Sequence, residues 1–172
     1  MVEPAISLAE AQAFVRIENG EEEAILAGLI RSATALCEAF INQALIAREQ
    51  TETIAASVEW QRLSAAPVRS IEAVEAIGPD GAATALPSGN YAIDIDASGD
   101  GWVRLVTDVG ANRLQVRSRI GMAIDTNGVP EPIRHGVLRL VGHLFAARDG
   151  SLGEPPAAVT ALWRPFRRMR LA

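Results

Sequence analysis

The spacing of apolar residues changes twice along this chain, and that bounds the fold. From Glu21 to about Asn42 the spacing is helical: Ile25, Leu29, Leu36 and Phe40 share one face, with Leu26, Ile30, Ala33 and Cys37 beside them. From about Arg48 the pattern turns to strands. Thr51, Thr53, Val58 and Trp60 favour extended backbone, and Tyr91, Ile93 and Ile95 alternate with Ala92, Asp94 and Asp96. Trp102 to Val106 reads as a short strand, and Leu114, Val116, Ser118 and Ile120 alternate with Gln115, Arg117 and Arg119. After Pro130 the helical spacing returns, with Ile133, Val137, Leu140 and Leu144 on one face and Val141 and Phe145 widening it. Helices, then hairpins, then helices predict an α+β chain: a helical core, made of a long N-terminal helix and a C-terminal helix, with a small antiparallel β-sheet insertion and an extended C-terminal tail. The expected division is one domain over residues 1–163, with the β insertion at about 48–121, and a basic tail over 164–172.

Local punctuation fits this outline. Ser7 and Glu10 have the spacing of a capping box for a short first helix ending near Ile17, followed by an Asn19–Gly20 break. Glu21, Glu22 and Glu23 fill the first turn of the long helix, where the helix dipole favours anions. Pro67 to Ile77 is rich in β-branched residues but has no clear period. Pro79-Asp80-Gly81 and Ser98-Gly99-Asp100-Gly101 are turn signals. Pro130 and Pro132 bracket a helix start, and Gly150 suits a helix end. Residues 151–156 read as a linker before one or two helical turns at Ala157–Trp163.

Charge and composition narrow the function. The net charge is −5, the wrong sign for a chain whose task is to grip phosphate. Aromatic residues are 5% of the chain, too few to build stacking platforms for single-stranded nucleic acid. All 16 basic residues are arginine, so every basic contact is a planar fork. The charge is also segregated: residues 164–172 hold four arginines and no acid, while the first 23 hold six acids and one base. Cys37 stands alone in an apolar helical pattern, which suits a small buried hydrophobe. No uninterrupted apolar run approaches about 18 residues, so no membrane partner is expected. The opening residues lack a basic stretch ahead of an apolar one, so neither is a leader peptide.

Motifs for catalysis are missing. The sequence has no phosphate-binding glycine loop, no dinucleotide fingerprint and no nucleophile elbow. Its two histidines, His135 and His143, are eight residues apart, about 80° around a helix, which does not bring two imidazoles to one metal. Asp94 and Asp96 share a strand face, but solvated alternation explains them. No catalytic residue, metal ligand or cofactor is expected, and the chain does not read as an enzyme. Gln115, Arg117 and Arg119 share a strand face that suits solvent or a subunit interface, or contact with a phosphate or a partner carboxylate. In the tail, Phe166, Met169 and Leu171 sit among four arginines, and nine residues cannot bury three apolar groups on themselves. Such a segment either binds nucleic acid or orders against a protein partner, and the mix of aromatic, Met and Arg favours the second.

In this order of motifs the chain resembles the head–tail connector, or adaptor, proteins of long-tailed bacteriophages and of gene transfer agents. The resemblance spans nearly the whole length. It rests on Ile6-Ser7-Leu8-Ala9-Glu10-Ala11 with Phe14-Val15-Arg16-Ile17, then the acidic opening of a long helix that leads to Ala44-Leu45-Ile46. It continues in Val129-Pro130-Glu131-Pro132-Ile133-Arg134, in Leu140-Val141-Gly142-His143-Leu144-Phe145 with Arg148, and in the closing run Pro156 to Arg167. The chain departs from the family at Asn42-Gln43, where members often carry Thr-Gly-Arg. It departs again at Arg119-Ile120-Gly121-Met122-Ala123, where they often have an aromatic, glycine-rich strand end.

The resemblance implies a structural subunit of a particle neck, made and assembled in the bacterial cytoplasm. It implies a ring of about a dozen copies on the portal vertex, closed by repeated head-to-tail contacts. The partners would be the portal protein, a tail-side stopper, further copies of the chain, and DNA passing through without sequence-specific binding. The portal-binding residues would be Trp163, Arg164, Phe166, Arg167, Arg168, Met169 and Arg170. Gln115, Arg117 and Arg119 would meet a neighbouring subunit or the tail side. Two alternatives stay open: a neighbouring neck protein (a stopper or tail-completion subunit), and a nucleic-acid-binding regulator using the basic tail.

Overall fold

A computed structural model of the chain describes residues 4–17, 22–147 and 155–169. The Asn19–Gly20 break, Glu21, Arg148, Gly150, most of the 151–156 linker, Arg170 and Leu171 lie outside the described residues. The chain forms two compact units: residues 1–46 with 122–172, and residues 47–121. Residues 47–121 thus pack as a compact unit of their own.

The first unit is helical. Helix α1 spans Leu8–Val15 and has the capping box its sequence predicts: the Ser7 hydroxyl accepts from the Glu10 amide, and the Glu10 carboxylate accepts from the Ser7 amide. It ends two residues earlier than expected, because Arg16 turns left-handed and caps it. Helix α2, Glu23–Ile41, ends the same way on Asn42 at φ +57°, a conformation Asn tolerates better than most residues. Helix α3, Glu131–Ala146, starts behind Pro130 with Pro132 in its first turn, and α4 is Ala157–Trp163.

The buried stripe of α2 is Leu26, Ile30, Ala33, Thr34, Cys37 and Ile41. Ile25 and Leu36, expected on its apolar face, are exposed. By length and a mean hydropathy of 1.6, α2 alone among the described helices could cross a membrane. Here its stripe packs with Ile133, Val137, Leu140 and Val141 of α3 and with Ala11, Val159 and Trp163. Cys37 is fully buried, and burial pushes its thiol pKa far above the ordinary range.

The second unit is all β. Its strands are β1 (Arg48–Ala55), β2 (Gln61–Arg62), β3 (Val68–Ile77), β4 (Ala83–Ala85), β5 (Tyr91–Ile95), β6 (Gly101–Leu105) and β7 (Arg113–Ile120). They form two antiparallel sheets, ordered β1-β7-β3-β4 and β2-β6-β5. The ambiguous period before Ile77 now has a cause: the β3–β7 register slips between Val68 and Ser70 and again between Ile71 and Ala73. Each slip breaks the alternation of faces.

Val58 and Trp60, expected in a strand, lie in the segment before β2 and are exposed. Ile93 and Ile95 are exposed as well, on β5, which is an edge strand of its sheet. The buried apolar side chains come from both sheets: Val68, Val74, Leu114, Val116 and Ile120 from one, Val103 and Leu105 from the other.

Candidate docking surface

The C-terminal segment is built onto the end of α2. Trp163, expected to face a partner, is fully buried in the helical core instead. Its indole N–H donates to the Ile133 carbonyl at 3.2 Å, and its ring lies against Gly136 of α3, where a side chain would collide with it. The Phe40 ring packs at 5.9 Å from the Trp163 ring, and the Arg167 guanidinium lies 5.4 Å over Phe40. A Trp buries a large apolar area and needs one partner for its N–H, and the core supplies both.

Beyond Trp163 the chain does not extend at once. Arg164–Phe166 form a 3-10 turn, and the backbone then ties back to α2. The Gln43 side-chain amide donates to the Phe166 carbonyl at 2.6 Å, and the Arg168 amide donates to the Ile41 carbonyl at 2.9 Å. The second bond satisfies one of the carbonyls a helix end leaves open. Phe166 is half-buried against the core. Arg164 and Arg167 are exposed, Arg168 is half-buried, and Met169 is 86% exposed. So the segment presents two exposed arginines and one bare apolar side chain from an anchored root. Arg170, the last of the expected contacts, lies outside the described residues.

On the β unit, β7 behaves as its pattern predicts. Leu114, Val116, Ser118 and Ile120 are buried, and the opposite face carries Gln115, half-buried, with Arg117 and Arg119 exposed. In register, Arg119 lies between Glu49 and Ser70, Arg117 between Thr51 and Ala73, and Gln115 between Thr53 and Glu75. This is an open, mixed-charge face on a central strand, backed by a buried one.

A second exposed face escaped the sequence reading. The Arg104 guanidinium of β6 lies 5.0 Å over the Trp60 ring, with Val106 and Val58 exposed nearby in the chain. Trp60 alone carries no periodic signal, so only the fold pairs it with Arg104.

No three His, Cys, Asp or Glu side chains cluster as metal ligands among the described residues. Asp96 is occupied in its own turn: it accepts from the Ser98 and Asp100 amides and from the Trp102 indole N–H. His135 and His143 are exposed on α3. An open groove in the helical unit, lined by Phe14, Val15, Gly142, Phe145 and Val159 with Arg139 and His143, contains no carboxylate or thiol. The Glu10 carboxylate is held below its ordinary range. The Ser7 amide contributes most, with the Ser7 hydroxyl and the Arg134 guanidinium adding to it. It bonds Ser7 and Arg134, ties α1 to α3, and serves structure.

Fold and surface together define an α+β protein: a helical unit bearing an anchored basic tail, and a β unit with open sheet faces. Comparison with known proteins gives that fold a setting. No family model matches the sequence, and neither does any curated protein. Solved structures do match. A chain in the neck of an empty gene transfer agent particle, computed with C6 symmetry, is 23% identical with a TM-score of 0.77, over 98% of this chain and 92% of that one. A chain in the virion of the native gene transfer agent particle is 22% identical, TM-score 0.77, with the same coverage. One in the neck of the native particle computed with C12 symmetry is 21% identical, TM-score 0.73, over 100% of this chain and 97% of that. At these identities the likeness is one of fold, and it covers the chain from end to end.

Proposed function

We propose that this protein is a structural subunit of the neck of a phage-like particle. Within the neck it would be the adaptor that forms a ring on the portal and joins it to the tail. The observation that carries the reading is the shared fold over 98% or more of the chain with chains from gene transfer agent particles, two of them from necks. The C6 and C12 symmetries of those neck structures suit a ring. The C-terminal segment suits docking onto the portal, with Arg164, Arg167 and Met169 exposed on an anchored root and Arg168 and Arg170 following the same charge. The open β7 face with Gln115, Arg117 and Arg119 suits a neighbouring copy or a tail-side partner. A net charge of −5 suits a ring through which DNA slides, since an acidic wall repels phosphate.

The test is binding of the full-length chain and of a Met1–Trp163 truncation to assembled portal. The truncation keeps Trp163 and so keeps the core. Binding by the full-length chain alone supports the adaptor reading. Equal binding by both chains sinks the tail's role. Binding by neither, with full-length chain captured by an adaptor ring, gives the stopper or tail-completion reading. Tight DNA binding that falls steeply with salt gives the regulator reading instead.

A further inference from the structure

We propose that Gln43 is a positioning residue for the C-terminal segment. Its side chain clamps the Phe166 carbonyl and so holds Arg167 and Arg168 on the end of α2. The inference rests on the reading of that segment as a docking element, but its first measurement does not.

The geometry is local. Asn42 turns left-handed at φ +57°, which ends α2 and swings the next residue back across the helix end. The Gln43 amide nitrogen then stands 2.6 Å from a carbonyl 123 residues away in sequence. Two further contacts act beside it: the Arg168 amide on the Ile41 carbonyl, and the Arg167 guanidinium over Phe40. Of the three, only the Gln43 bond comes from a side chain reaching out to the segment's backbone. It therefore depends on the identity of residue 43, whereas the Arg168 bond would form with any residue there except proline.

A clamp of this kind changes affinity without touching a partner. A free tail must be ordered when it binds, and each immobilised side chain and backbone position opposes association. A tail already fixed through Arg168 has met that cost on folding.

The readout is hydrogen exchange at the Arg168 amide, which opens only when the segment lifts from α2. In the full chain without any partner, Gln43→Ala should speed that exchange about three- to tenfold, the range one hydrogen bond supports. The Leu140 amide in α3 should be unchanged. Gln43→Glu keeps the shape and removes the donor, so it should behave like Gln43→Ala. Unchanged exchange at Arg168 in both variants overturns the proposal. So does faster exchange at Arg168 and Leu140 together, because residue 43 would then hold the fold and not the segment. The second measurement is binding to assembled portal, where Gln43→Ala should weaken affinity by the same factor through faster dissociation. If the Met1–Trp163 truncation binds portal as well as the full chain, the docking reading fails, while the exchange result still decides the clamp.

Discussion

Gly136 provides the sharpest test of how the tail's root is built. A Cβ at this position would lie 2.2 Å from Trp163 Nε1 and 2.9 Å from two carbons of the same ring. Helix propensity alone favours Gly136→Ala by about 1 kcal/mol. Against that stand overpacking, at about 1–3 kcal/mol, and loss of the Trp163–Ile133 hydrogen bond, at about 1 kcal/mol. The ring has nowhere to go, because Trp163 is fully buried and its N–H is held. The net expectation is a loss of about 1–3 kcal/mol. Gly142 on the same helix is the natural control. An added Cβ there meets Phe14 Cε1 at 2.8 Å, but Phe14 is 46% exposed and can swing outward. Gly142→Ala should therefore be neutral or stabilising, by up to about 1 kcal/mol. Urea unfolding followed by circular dichroism at 222 nm reports the helical unit and separates the two. Equal stabilities for the two variants, or a stabilised Gly136→Ala, would refute the argument that a fixed indole occupies the glycine's space.

Two further outcomes follow from the helical unit. Cys37, buried with its thiol pKa pushed far up, should react with a disulfide reagent only as fast as the unit opens. Labelling of the native protein at the rate of a free cysteine would contradict the burial. The Ser7 cap should show a pH signature. Glu10 is held below its ordinary value near 4.5, so its contribution is full above that value and fades as pH falls through the lower folded value. Ser7→Ala should cost about 0.5–2 kcal/mol at neutral pH. Urea unfolding at pH 7 and pH 3 should show that deficit shrinking in acid, and a constant deficit would show that the carboxylate takes no part.

Much of the architecture was legible in the sequence because period and burial are local properties. The 3.6-residue spacing in α2 and α3, the alternation in β7, the Ser7–Glu10 box and the Pro130 start each depend on residues within a turn or two. Their readings therefore need no tertiary information. The segregation of arginine into the C-terminus was equally plain. Beyond the local period, packing decided. Whether the Ile25 or the Leu26 side of α2 is buried depends on where α3 lies, since both rows are apolar. Trp163 reads as a surface anchor beside four arginines, yet Gly136, 27 residues earlier, opens the seat that takes it into the core. The tail looks free in sequence, but Gln43 and Ile41 hold it from more than a hundred residues away. The sequence by itself determined which elements form and where the charge lies, because those are set by neighbours along the chain. The tertiary structure alone decided which faces are buried and where the tail begins, because hydrogen bonds and steric fit act between residues that only folding brings together.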